Sequence, residues 1–168
     1  MTFILTLGCD RDDICAESTP TTPSLIIDFL DFNNNDSSKN VFNIAVIGVG
    51  NETILPEYNI ITTNRLSLPL RTTENTTQYR VINNASVNDS GTPEDPSDDI
   101  IEGNEDIITI NYSRENVYVS RACGFKTIFK NVTLTIETDS DNWMLSRIGL
   151  NDNQSVENET TTHFNILH

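Results

Sequence analysis

The sequence predicts an all-β protein, an antiparallel β-sandwich or partly open barrel of about eight or nine short strands. Three observations lead there. Residues 131–137 alternate Val132, Leu134 and Ile136 with Asn131, Thr133, Thr135 and Glu137, the period of two that marks a strand with one wetted face. The period recurs in Leu66, Leu68 and Leu70 against Arg65, Ser67 and Pro69, and in Ile108, Ile110 and Tyr112 against Ile107, Thr109 and Asn111. Elsewhere the apolar runs are short, are separated by Asn, Asp, Gly and Pro clusters, and show no helical stripe.

In chain order, the first predicted strand spans 24–32 and the second 41–49, both rich in Val, Ile and Phe. The second ends at Gly48-Val49-Gly50, which is read as a turn, because a phosphate-binding loop needs a further Gly and a following helix. In the 66–70 strand Pro69 has no N–H for a ladder and so marks an edge or a bulge. Strands at 78–82, 108–112, 117–121, 131–137, 147–150 and 163–167 complete the set. Two polar intervals, Asn33–Asn40 and Asn83–Asp106, are expected to be loops. The second contains Gly91-Thr92-Pro93-Glu94-Asp95-Pro96-Ser97-Asp98-Asp99, whose prolines and charge oppose both pairing and burial.

With 168 residues, the chain is long enough for one domain that buries about 70% of its unfolded surface. The expected organisation is a shortened signal, lipidation motif and tether over residues 1–14, then a single β-sandwich over 15–168. A net charge of −15 repels nucleic-acid phosphates, and also disfavours attraction of the body to anionic membranes. No apolar run after Leu7 approaches the length of a spanning helix. Membrane contact is therefore expected only through a lipid.

Cys9 supplies that lipid site. It follows Thr6-Leu7-Gly8 and the apolar Phe3-Ile4-Leu5, and a small residue directly before a Cys near an apolar start is the pattern of a bacterial lipoprotein. Such a signal ordinarily has a basic start and about 7 to 15 apolar residues, so Met1–Gly8 is expected to be a late-placed or trimmed start. An ordinary thiol at the terminus is the alternative. With Cys9 acylated, Cys15 and Cys123 remain as an even pair facing an oxidising compartment, and a disulfide between them is the expectation. Two unpaired thiols remain the alternative. Zinc is disfavoured because neither has a close Cys or His partner.

No catalytic constellation is expected. His163 and His168 both lie at the C-terminal end, on opposite faces of a strand because their separation is odd. No Ser occupies a Gly-x-Ser-x-Gly elbow. Carboxylate pairs occur in any domain so rich in acids and carry no specific signal. The one dense group of oxygen donors is Asp89, Glu94, Asp95, Asp98, Asp99 and Glu102, of which Asp95, Asp98 and Asp99 are the calcium candidates. Their spacing lacks the alternating ligands, central Gly and terminal Glu of a helix-loop-helix calcium site, so the leading reading is a solvated loop. No cofactor is expected. Trp143, the single Trp, is expected to anchor the core rather than to stack on sugar.

The motifs Asp12-Asp13-Ile14-Cys15, Thr22-Pro23-Ser24-Leu25-Ile26-Ile27-Asp28-Phe29 and Leu66-Ser67-Leu68-Pro69-Leu70-Arg71 occur in that order. They are followed by Ile110-Asn111-Tyr112, Val119-Ser120-Arg121-Ala122-Cys123-Gly124-Phe125, Trp143, and Asn158-Glu159 before His163 and Ile166. Together they resemble the uncharacterised Bacteroidota lipoproteins grouped as domain of unknown function 6452. Leu-Pro-Leu and Ala-Cys-Gly-Phe are the most specific parts, and the likeness covers nearly the whole chain. The acids after Cys9 resemble the signal that sends such lipoproteins to the outer leaflet of the outer membrane. The resemblance implies an address and a shared fold, and no activity.

Within those motifs, Gly124 permits a bend that aims Cys123 at Cys15, while Arg71 and Arg121 are expected to form ion pairs rather than to grip an acidic ligand. The expected function is a non-catalytic binding or assembly module of the outer membrane, lipid-anchored, with an envelope protein or glycan as partner. A carbohydrate-binding surface lipoprotein is the alternative, and an envelope hydrolase is more remote.

Overall fold

Alternating apolar residues form strands throughout the computed structural model, which describes residues 14–51, 53–92, 94, 99–150 and 154–168. Ten strands are present among them: β1 (Leu25–Asp31), β2 (Asn34–Ser38), β3 (Val41–Gly48), β4 (Ile54–Thr63), β5 (Arg65–Leu68), β6 (Thr76–Asn88), β7 (Ile100–Ser120), β8 (Gly124–Ile136), β9 (Ser146–Gly149) and β10 (Phe164–Leu167). They make two five-stranded sheets, one of them curled as a half-barrel. The all-β sandwich is as the alternation predicts.

In the first sheet β1 is central. Its Leu25–Asp28 half pairs with β5, and its Leu30–Asp31 end pairs with β2 on the same flank, while β10 and then β9 lie on the other. The β1–β10 pairing is parallel, with Ile27 opposite Phe164 and Phe29 opposite Ile166, the one parallel pair among the described strands of an otherwise antiparallel sandwich. A period of two sets which face a side chain takes and carries no information on strand direction. The second sheet has the order β4-β3-β6-β7-β8, all antiparallel.

Between the sheets lies one apolar core. Leu25, Ile27 and Phe29 of β1, with Phe164 and Ile166 of β10, meet Ile44 and Val46, Tyr79 and Val81, Ile108 and Ile110, and Phe129 and Leu134 from the second sheet. Fully buried Leu, Ile and Phe side chains contribute about 1.5–3 kcal/mol each. Trp143 belongs to this core as expected: it is 8% exposed, its Nε1–H donates to the Val81 carbonyl at 3.2 Å, and its ring lies 5.7 Å from that of Phe29.

A second, smaller core lies on the opposite face of the second sheet, where Ala45, Ile47, Ile82 and Ala85 pack with half-buried Ile54, Ile60 and Ile101. Ala85 and Ile101 in it come from the 83–106 interval, whose ends, 83–88 and 100–106, are strand rather than the exposed loop expected. β6 and β7 stay paired to Asn88 and Ile100, and only 89–99 connect them. Their ladder slips between Asn83 and Ser86, opposite Gly103, and Asn84 takes a φ of 52° there. Such a bulge sharpens the local twist and bends the hairpin, so that Ala85 and Ile101 turn onto Ala45 and Ile47.

Other departures share this origin in backbone pairing. Polar Asn34–Ser38 is a strand although every side chain in it is exposed, because it completes the ladder of β1. β4 was not expected, since Pro56 and Glu57 break its alternation. The 108–112 and 117–121 segments are one strand, β7. In β4 the bulged Ile60, at φ 55°, sits unpaired between the Ala45–Asn59 and Ile44–Ile61 pairs and turns its side chain into the smaller core. Gly48-Val49-Gly50 is the turn expected: Asn51 N–H donates to the Gly48 carbonyl at 2.8 Å, and Gly50 has φ 82°. β5 stops at Leu68, so Pro69 lies just past its end and donates nothing to a ladder.

Candidate functional site

Among the described residues, the most exposed apolar side chains gather at the tip of the β7–β8 hairpin. Arg121, Ala122 and Cys123 connect Ser120 to Gly124, and Gly124 has φ 70°, the left-handed residue that closes a three-residue hairpin loop. Cys123 N–H donates to Ser120 Oγ at 3.0 Å, fixing the approach of the sulfur. Cys15 and Cys123 are joined by a disulfide, with Cα atoms 4.9 Å apart and a sequence separation of 108.

From Cys15 the chain runs back along the hairpin. Thr19 N–H donates to the Ala16 carbonyl at 2.9 Å, Thr22 Oγ1 accepts from Thr127 N–H at 3.0 Å, and Ser24 N–H donates to Glu159 Oε1 at 2.6 Å. This path leaves a groove of about 460 Å³ beside the disulfide, bounded by Glu17, Thr19, Thr22, Val119, Phe125 and Lys126 among others. Tyr118 and Phe125 face each other across the strands, with ring centroids 5.4 Å apart at 71°. They are 59% and 67% exposed, and Ile14, next to the disulfide, is 80% exposed.

The charges near the tip differ from those of the rest of this acidic chain. Lys130 pairs with Glu157, and Lys126 Nζ reaches the Glu157 carbonyl at 3.5 Å. Arg121 is exposed and makes no ion pair among the described residues. The expected ion pair is present for the other motif arginine: Arg71 holds Glu74 at 2.9 Å and also donates to the Val49 carbonyl at 3.0 Å.

Cys9, Asp95 and Asp98 lie outside the described residues, and Asp99 is exposed beside the β6–β7 connection. Among the described residues no three His, Cys, Asp or Glu side chains converge as a metal site would require.

The histidines lie at either end of β10, on opposite faces. His163 is buried, and its Nδ1 accepts Ile26 N–H at 2.9 Å while its backbone N–H donates to the Ile26 carbonyl at 2.9 Å. His168 stands edge-on to Phe29 and Trp143 with centroids 5.7 Å from each. Burial lowers the pKa of both below the ordinary histidine range. Their partners among the described residues are backbone groups and core rings.

Sequence reasoning missed two carboxylates with definite roles. Asp106, fully buried, accepts the backbone N–H groups of Trp143 and Met144 at 3.3 and 2.8 Å, and burial raises its pKa despite these bonds. Asp28 takes a two-point hold from Arg65 at 2.6 and 2.9 Å and the Thr162 hydroxyl at 2.6 Å. The Arg65 hydrogen bonds outweigh the raising effect of burial and lower its pKa. Arg65 and Asp28 are register partners on β5 and β1. Opposite charges on neighbouring strands were the available signal, but it requires the pairing to be known.

Comparison with known proteins adds one finding. Residues 43–168 match a family described as "Family of unknown function (DUF6452)". No curated protein and no solved structure matches the chain.

Proposed function

The chain belongs to the DUF6452 family of unknown function, and from that premise we propose that it is an outer-membrane lipoprotein, anchored through Cys9, whose β-sandwich is a non-catalytic binding or assembly module of the cell envelope. The Cys15–Cys123 disulfide carries this reading. A disulfide suits a protein folded outside the reducing cytosol, and this one clamps the chain six residues after the acyl site to the body of the fold. Two acyl chains give stable attachment where one gives only marginal binding.

The test is metabolic labelling of the native protein with a fatty-acid analogue, together with Cys9→Ser. Label on the wild type and none on the variant is the expected result. Equal labelling of both, or of neither, removes the anchor. Affinity capture from detergent-solubilised membranes addresses the assembly role, and recovery of the bait alone counts against it.

Carbohydrate binding is the second reading, favoured by the groove beside Phe125 with its Thr19 and Thr22 hydroxyls and the exposed Tyr118 ring. Titration with envelope polysaccharide separates it from protein assembly: a Kd weakened by Phe125→Ala supports it, and no heat at all removes it.

A further inference from the structure

We propose that the disulfide end of the molecule rests in the headgroup layer of the bilayer that carries the protein, with Ile14, Tyr118 and Phe125 as its contact. This deepens the proposed function and rests on the lipidation of Cys9.

Tether length makes the first link. From Cys9 to Cys15 the chain takes six residue steps, so a fully extended tether spans at most roughly 22 Å. The disulfide transfers that limit from Cys15 to Cys123 and the hairpin tip. No other part of the described body is held to the anchor by so short a path.

The surface at the end of the tether matches a bilayer interface. Among the described residues, three of the four most exposed large apolar side chains, Ile14 at 80%, Phe125 at 67% and Tyr118 at 59%, lie at this end, and the fourth, Phe42 at 61%, lies elsewhere. Tyrosine, with an apolar ring and a polar hydroxyl, suits the boundary between acyl chains and headgroups. Arg121 and Lys126 flank the rings with cationic heads on apolar stems, which can lie along that boundary with the charge in water.

Charge is not the driving force. Asp10, Asp12, Asp13 and Glu17 offset Arg11, Arg121 and Lys126, and the net charge of −15 opposes attraction to anionic lipid. Glu157 of the body also reaches Lys126, so that acids further offset the cations at this end. Contact is therefore carried by apolar insertion, and a zwitterionic bilayer suffices.

Phe42 supplies the control. β3 places Gly48 opposite Tyr79 and Ala45 opposite Ile82, so Phe42 lies toward the far end of the second sheet, while the hairpin tip extends beyond the Thr76–Asn111 pair at the other. Lipidated protein carrying Phe125→Trp or Phe42→Trp is reconstituted into phosphatidylcholine vesicles with brominated acyl chains, and its mass is read first. Several-fold stronger quenching with Phe125→Trp than with Phe42→Trp is the expected result, Trp143 being the buried common background. Tyr118→Trp repeats the reading if Phe125→Trp fails to fold.

A mass without diacylglycerol overturns the anchor and this placement with it. A lipidated protein with equal quenching at both positions overturns the placement alone. So does an indole at the tip that bilayers leave unquenched and a soluble polysaccharide or envelope protein shields.

Discussion

Asp106 Oδ2 accepts the backbone N–H of Met144 at 2.8 Å, and its other oxygen accepts that of Trp143 at 3.3 Å. One buried carboxylate on β7 thereby stops the chain after β8 and turns it toward β9, while the Trp143 ring closes the core. Two donors meet two separate oxygens, and an amide has only one. Asp106→Asn is therefore expected to leave a buried N–H facing an NH₂ group, at a cost of about 1–3 kcal/mol. Urea unfolding of the variant measures it, and a midpoint equal to that of wild type would show that the Asp106 pairing contributes nothing.

Stability is expected to decline in mild acid. His163 accepts Ile26 N–H through Nδ1, which only the unprotonated ring nitrogen can do. Burial lowers its pKa below the unfolded value of 6.5, so below that pH the unfolded chain takes up a proton that the folded one resists. The contribution is intact above pH 6.5 and is lost as pH falls toward the lower folded value. His168 adds the same sign. Asp106 acts oppositely and lower: its raised pKa lets the folded state bind a proton above 3.8, which offsets part of the loss there. His163→Gln keeps an acceptor without the titration, and it should flatten the decline of Tm between pH 6.5 and 5, with the remaining slope due to His168. A slope as steep as that of wild type would exclude His163 as its source.

The strands that face the core were legible because one wetted face imposes a strict alternation, as in Val132, Leu134 and Ile136. Where both faces of a sheet are covered the alternation fades. Ala45 and Ile47 pack on one side while Ile44 and Val46 pack on the other, and the element that covers Ala45 and Ile47 is itself polar in sequence. Residues 83–88 and 100–106 thus read as loop although they are paired strands of a bent hairpin. The disulfide followed from cysteine arithmetic, whereas the Tyr118–Phe125 pair needed the register of two strands. Asp106 left no local trace, since its partners lie 37 and 38 residues away.

Gly103 is where that bent hairpin is most sensitive. Its φ is 147°, and a Cβ there would lie 2.6 Å from Ile82 Cγ2 and 2.8 Å from the Asn83 carbonyl oxygen. A carbonyl fixed in a ladder cannot withdraw as the end of a flexible side chain can. Gly103→Ala is expected to cost about 2–5 kcal/mol through combined strain and crowding. Gly91→Ala is the comparison, because φ there is also positive, at 80°, while the space around it is open. The difference between their chemical unfolding midpoints reports the crowding, and equal losses would attribute the effect to backbone conformation alone.

Reduction of Cys15–Cys123 separates two roles of the bond. Opening a loop of 108 residues restores freedom to the unfolded chain, for which the entropy model gives about 4–5 kcal/mol as an upper guide. It also releases residues 14–22 from the hairpin, where the hydrogen bonds beyond Cys15 are that of the Thr19 hydroxyl with Cys123 Sγ at 3.5 Å and that of Thr22 Oγ1 accepting from Thr127 N–H at 3.0 Å. Cys15→Ser with Cys123→Ser is therefore expected to lower the unfolding midpoint and, separately, to open the segment before Thr22 to protease under native conditions. Because the core strands β1 and β10 begin beyond that point, the proteolysis should remove the N-terminal segment and leave the sandwich intact. Loss of the whole domain at the same protease concentration would mean that the disulfide maintains the fold and does not merely fasten its tether.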